Sequence, residues 1–321
     1  METIVGQDVL VCKAILENNG VVAIPTETVY GLAGNAMNVA AIHKIYEVKN
    51  RPKENPLIVH ISSFQELEKY AFDIPIIAYK LMSAFWPGPL TLLLKKKANI
   101  PDEATANSQL AAFRVPNHPL TLALLQSIDF PLVAPSANPF GYISPTSADH
   151  VIEQLNGKIP YILDGGFCEK GIESTIVGFE GEQAIIFRTG SLDIDTISFV
   201  LEEPVLIFDE STSKKPITSG MMKYHYSPLT PMVLVDNLDD FEVSNDLKIG
   251  FIRFKNQLQL ADNELQIILS PTGDLNEAAK NLYAALHEMD KKNVELIIVE
   301  KVPHQGIGIA INDRLLKASS R

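Results

Sequence analysis

Cysteine is scarce in this 321-residue chain. Cys12 and Cys168 are the only two, too few for a disulfide framework or a structural zinc site. Long apolar runs are missing as well. Nothing approaches the ~18 to 20 residues that a membrane span needs, which argues against a bilayer role. Positive charge is in deficit, with 27 Lys and Arg against 39 Asp and Glu for a net −12, so no global basic field is available for nucleic acid. The first ten residues lack a basic segment followed by an apolar one, and a cytoplasmic address is expected.

Familiar catalytic signatures are absent too. The chain has no G-x-x-x-x-G-K-[ST] loop, no strand-linked G-x-G-x-x-G in its N-terminal half, no G-x-S-x-G and no H-E-x-x-H. The histidines are scattered without metal-ligand spacing, so no protein-held metal is expected.

What is present is the composition of an ordinary globular protein, 46% hydrophobic and 21% charged, at a length that suggests two domains. Val21 to Ile24, Leu57 to Ile61, Leu90 to Leu94, Leu110 to Phe113, Leu132 to Ala134, Tyr161 to Leu163, Thr175 to Val177 and Ala184 to Phe187 read as short buried strands. Helical spacing over residues 7–19 and 40–48, and a capping box at Ser63-Phe64-Gln65-Glu66, place helices among them. The class is therefore α/β. Residues 1–205 form a first domain, the polar, breaker-rich stretch 206–230 a linker, and 231–321 a small parallel α/β domain. In that last domain Leu275, Ala279, Leu282, Leu286 and Met289 line one helical face between strands.

Polar residues sit where these strands end, the position at which α/β folds hold ligands. Thr26, Glu27, Thr28 and Tyr30 follow the first strand, as a ligand loop or as a turn capped by its own hydroxyls. Lys49, Arg51 and Lys53 place three cations in five residues within an acidic half, either as complements of a helix C-terminus or as an anion site stiffened by Pro52 and Pro56. His60 ends an apolar strand and by default is a satisfied core histidine. Arg114 ends another and either pairs with a buried carboxylate or faces a ligand anion. Ala134 to Pro139, Ser144 to Thr146, Glu173 to Thr175 and Arg188 complete the set.

Taken jointly these segments resemble the L-threonylcarbamoyladenylate synthases, the YrdC-like family, in the form that carries a C-terminal extension domain. The matching pieces are Pro25 to Leu32, Lys49-x-Arg51 with Asn55-Pro56-Leu57, Phe113 to Pro116, Pro135 to Asn138, Ser144 to Thr146, Glu173 to Thr175, Arg188-x-Gly190, His225 to Pro228, and Gly306-x-Gly308 with Ala310 to Leu315. They run in family order. The linker departs from the pattern at Ser219, where the family usually has proline, and at Met222-Lys223-Tyr224.

The resemblance implies a YrdC-like twisted mixed sheet with helices, followed by a Rossmann-like parallel domain. It implies a nucleotidyltransferase that makes L-threonylcarbamoyl-AMP and pyrophosphate from ATP, L-threonine and bicarbonate, for the threonylcarbamoyladenosine modification of tRNA. Lys49 and Arg51 are then expected at the reacting phosphates, with Mg²⁺ arriving on ATP. Thr28, His60, Arg114, Ala134 and Ser174 are expected to hold threonine. Arg51, Asn55, Leu110, Ser136, Ser144 and Arg188 are expected to hold ATP, with His225 and Tyr226 on a linker that folds over the nucleotide and Gly220 as its hinge. The implied partners are the small substrates and a downstream threonylcarbamoyl transferase, with tRNA met only indirectly. An RNA-binding or ribosome-associated module is the competing reading, opposed by the acidic charge. A hydrogenase-maturation carbamoyltransferase is a third, opposed by the lack of acylphosphatase-like and zinc-finger segments.

Overall fold

Short apolar runs ended by polar or breaker residues assemble into one mixed twelve-stranded sheet in the first two-thirds of the chain. A computed structural model describes residues 2–209, 216–221, 225–238, 247–257 and 264–320. The elements begin with β1 (Ile4–Gly6), α1 (Val9–Glu17), β2 (Val22–Ile24), β3 (Gly31–Asn35), α2 (Val39–Lys49) and β4 (Ile58–His60). Next come β5 (Ala71–Phe72), α3 (Ile76–Phe85), β6 (Leu90–Lys96), β7 (Leu110–Arg114), α4 (Pro119–Ser127) and β8 (Leu132–Val133). The first sheet closes with α5 (Ala148–Leu155), β9 (Tyr161–Leu163), β10 (Thr175–Glu180), β11 (Gln183–Arg188), α6 (Ile194–Leu201) and β12 (Leu206–Ile207), just past Val205. Its lateral order is β1-β9-β2-β3-β8-β4-β7-β6-β10-β11-β12, with β5 paired to β6.

The continuous apolar run of β2 reflects burial on both faces. Val22 and Ile24 point into one core with Leu124 and Leu125 of α4, while Ala23 points into the other with Ile42 and Ile45 of α2. Side chains alternate across a strand, so three residues serve two layers. Asp8 caps α1 by accepting from the Leu10 N–H, and Asn38 caps α2 by accepting from Ala41. The α2 helix ends at Asn50, whose left-handed φ of 52° turns the chain directly after Lys49.

Two local expectations need correction. The segment after Ser63 is a 3₁₀ helix, Phe64–Lys69, in which Ser63 makes no side-chain cap. Glu66 instead accepts from the N–H and hydroxyl of Ser62, because the tighter helix shifts the reciprocal pair by one residue. Strand β3, which begins at Gly31, is missing from the expected strands.

The second sheet contains β13 (Met232–Val235), β14 (Ile249–Arg253), β15 (Glu264–Ile268) and β16 (Leu296–Glu300), all parallel in the order β13-β16-β14-β15. Helix α7 (Leu275–Lys291) buries Ala279, Leu282, Leu286 and Met289 as expected, and α8 (Gly308–Ala318) follows β16. This is the mixed sheet plus smaller parallel sheet that the sequence implies. The two units touch closely. A Cβ at Gly171 would lie 2.4 Å from the Cα of Lys280, so the turn before β10 admits only glycine against α7. Cys12 and Cys168 are both buried and free.

Candidate active site

The ends of the central strands converge on one cleft. Ile24 opposes Gly31, Gly31 bridges to Ser136, and His60 opposes Arg114. After β2, the Thr26 hydroxyl accepts from the N–H groups of Thr28 and Val29 and donates to the Val29 carbonyl at 2.7 Å. The turn is thus capped by its own hydroxyl, and it leaves Thr28, fully buried, on the cleft wall.

Arg114 does pair with a buried carboxylate, the first of the alternatives left open by the sequence. Its Nη2 lies 2.8 Å from Glu27 Oε1, an ion pair with both side chains about 5% exposed or less, and it also lines the cleft. His60, beside it, donates from Nδ1 to the Ile58 carbonyl at 3.2 Å. Burial, then the charge of Arg114, lowers the His60 ring to about 3, so it is neutral at physiological pH.

Arg188 donates from Nε and Nη2 to the Ser174 carbonyl at 3.1 and 2.8 Å, and from Nη1 to the carbonyl and hydroxyl of Ser219. Serine at the departure from the family pattern therefore adds an acceptor for this guanidinium. A Cβ at Gly190 would sit 2.4 to 2.5 Å from backbone atoms of Glu173, Ser174 and Thr175, so glycine lets the end of β11 lie against that segment. Arg51 donates to the carbonyls of Asn55 and Pro56, and its guanidinium stands 5.9 Å from the Phe140 ring centroid. Burial brings its pKa down to about 10.

Thr28, Arg51, His60 and Arg114 line the cleft together with Ala134, Ser136, Ser174, Arg188, His225 and Tyr226. Lys49, Asn55, Leu110 and Ser144 stand behind it. Lys49 Nζ donates to the carbonyls of Ser136 and Asn138, at 2.6 and 2.5 Å, and to Asn138 Oδ1, which holds the loop after β8. Burial, then the neighbouring Arg51, pulls its pKa well below the usual lysine value. Asn55 is fully buried with both side-chain polar atoms unpartnered. Leu110 packs against the apolar face of β4 and β6, and Ser144 donates to Glu173 Oε1 at 2.8 Å.

Linker residues close the cleft. His225 meets Phe140 edge-on at 5.8 Å, Tyr226 is buried with a φ of 66°, and Gly220 adopts a φ of 91° beside Arg188. Burial, then Arg51 and Lys49, keeps the His225 ring neutral. The space left between these side chains is about 50 Å³. Met222, Lys223 and Tyr224 lie outside the described residues.

Glu27 and Glu173 stand among the polar residues at strand ends, but nothing in the sequence pairs either with its cation. Each is recognisable only through an arginine distant in the chain, Arg114 and Arg314 respectively.

His60 and His287 both have folded pKa values of about 3, far below the usual 6.5. Each contributes stability that is complete above pH 6.5 and is lost as pH falls toward 3, because the unfolded chain binds the proton first. The melting temperature is expected to fall on acidification from pH 6.5 to about 5, above the range in which ordinary carboxylates titrate. Thermal melts that stay flat across that window would contradict two buried neutral imidazoles.

The cleft gathers three buried arginines, Arg51, Arg114 and Arg188, at the ends of strands in an α/β fold. The Sua5/YciO/YrdC family profile, described as telomere recombination, matches residues 14–190, and that of the threonylcarbamoyl-AMP synthase C-terminal domain matches residues 192–320. The chain belongs to this family, the one its motifs resemble. It is 38% identical to the threonylcarbamoyl-AMP synthase of Bacillus subtilis over 95% of this chain and 91% of the relative. Identity to the Pyrococcus abyssi synthase is 37%, covering 96% and 93%. The crystal structure of P. abyssi Sua5 complexed with L-threonine superposes with a TM-score of 0.90 at 35% identity, covering 99% of this chain and 98% of that one.

Proposed function

We propose that the cleft joins L-threonine, bicarbonate and ATP into L-threonylcarbamoyl-AMP with release of pyrophosphate. One observation carries this beyond the family relation: Lys49, Arg51 and Arg188 are buried with hydrogen bonds only to neutral acceptors among the described residues. Buried cations that are not hydrogen-bonded to a carboxylate are costly, and an anionic substrate supplies the contact that the fold leaves out.

The chemistry needs no protein nucleophile. The threonine amine, uncharged, is carboxylated by bicarbonate with loss of water, and the carbamate oxygen then attacks the α-phosphorus of ATP as the bond to pyrophosphate breaks. Arg114 is assigned to the threonine carboxylate, with Thr28, His60, Ala134 and Ser174, which line the same cleft, around it. Neutral His60 serves as a fixed dipole there, not as an acid. Arg51, Arg188 and Ser136, which line the cleft, are assigned to the nucleotide. Asn55, whose buried amide is unpartnered, Ser144 and the backbone of Leu110 are assigned to it from behind that lining. Lys49 acts with Arg51 on the phosphates through the Ser136–Asn138 loop that it holds. His225 and Tyr226 fold over the nucleotide as Gly220 turns.

Mg²⁺ is expected to arrive on the triphosphate. The protein residues do not fit a resident metal, since Glu27 is bound to Arg114 and Glu173 to Arg314, and no step is routed through one. The product passes to a threonylcarbamoyl transferase acting on tRNA, in the cytoplasm. No described helix is long and apolar enough to cross a membrane.

Pyrophosphate release from ATP should require both threonine and bicarbonate when each is omitted in turn. Release that persists without both overturns the synthase reading.

A further inference from the structure

Glu173 lines the cleft from the segment before β10, yet the charge that neutralises it comes from the other sheet. Arg314, on α8, donates from Nε to Glu173 Oε2 at 2.7 Å, and Tyr283, on α7, donates to the same carboxylate at 2.9 Å. Both side chains are buried, and Arg314 is the largest fully buried side chain among the described residues. Its Nη2 donates to the Thr189 carbonyl at 2.8 Å, next to Arg188, and its guanidinium stands 5.2 Å from the ring centroid of Tyr226, which in turn stacks on Tyr283. Two helices of the second unit thus reach the cleft wall, the end of β11 and the linker at once.

We propose that Arg314 is a positioning residue for the anion site of the first unit: it cancels the charge of Glu173 and braces Tyr226, so the C-terminal unit completes the cleft. This rests on reading the cleft as the ATP and threonine site. In a water-poor cleft an uncancelled carboxylate repels a triphosphate and competes with it for Arg188. Burial pushes the Glu173 carboxyl up, while Arg314 first and Arg188 second more than offset that and hold it below the usual range. Without Arg314 the remaining cation that acts on Glu173 is Arg188, the guanidinium assigned to nucleotide.

The test compares Arg314→Ala, Arg314→Lys, Arg314→Ala with Glu173→Gln, and Lys291→Ala in threonine-dependent pyrophosphate release with ATP varied. Lys291 pairs with Glu153 at 2.5 Å on the exposed seam between the units and controls for their seating. Arg314→Ala should raise KM for ATP by about tenfold or more, and the added Glu173→Gln should return most of it, because the repelling charge is gone. Lys291→Ala should match the parent. Parental KM in Arg314→Ala, or a double variant as impaired as the single one, overturns the proposal and leaves Arg314 a purely structural residue. Arg314→Lys keeps the cancelling charge and should lie closer to the parent than Arg314→Ala. If Arg314→Ala does not fold, Arg314→Gln, which removes the charge and keeps most of the volume, carries the comparison, and parental KM there overturns it equally. Failure of the parent enzyme to turn over with threonine would instead sink the reading of the cleft itself, and this proposal with it.

Discussion

An Arg51→Met variant should be about as stable as the parent without ligand, yet lose about 10²- to 10³-fold in kcat/KM, the usual cost of removing one preorganised donor from a developing charge. The stability half of this expectation follows from two opposed effects. Arg51 donates to the carbonyls of Asn55 and Pro56, and losing those bonds costs about 1 kcal/mol each. Against that, a buried guanidinium with no carboxylate partner disappears, and methionine fills its volume with apolar atoms. The rise in melting temperature on adding ATP should vanish along with turnover, since it depends on the same charge. Near-parental turnover would remove Arg51 from the nucleotide site. A loss of several kcal/mol by chemical denaturation would show that Arg51 serves the fold.

The opposite pattern is expected at Arg114. Replacing it with methionine leaves Glu27, 3% exposed, as an unpaired buried anion, and breaking a buried pair from one side costs about 3 to 5 kcal/mol. Adding Glu27→Gln should recover most of that stability, since the amide still accepts from the Asn117 N–H where the carboxylate did. It should not recover threonine use, because the guanidinium assigned to the threonine carboxylate is still missing. Equilibrium denaturation and the threonine dependence of pyrophosphate release separate the two. Arg114→Met within about 1 kcal/mol of the parent would mean that the pair with Glu27 contributes little to the fold.

The contrast between these arginines explains what could be read from the sequence. A cation at the end of an apolar strand, as at Arg114 and Arg188, is visible locally, and so is a run of three cations in five residues such as the one that contains Arg51. Strands such as β2, β4 and β7 were visible because burial on both faces leaves an unbroken apolar run. β3 was not visible: Gly31, Ala33, Gly34 and Asn35 give a weak strand signal, and its place is set by pairing with β2 and β8. Nor was the partner of any arginine visible. Glu27 meets Arg114 through strand order alone, and Glu173 meets Arg314 only once a second sheet is seated. The direction of Lys49 was hidden for the same reason, since its acceptors belong to a loop almost ninety residues away.

The closed cleft has a consequence for the fate of the product. The space of about 50 Å³ left between its side chains has room for only one or two water molecules, against the several hundred Å³ that a nucleotide-sized ligand fills. On the function proposed above, substrates reach Arg188 only when the segment of Ser219 and His225 moves aside from Arg188 and Phe140, so turnover would include an opening and a closing. A carbamoyl phosphoanhydride is labile in water. In the proposed reaction the time that the linker stays over the product, and not the strength of any one contact, would then decide how much adenylate leaves intact and how much is hydrolysed.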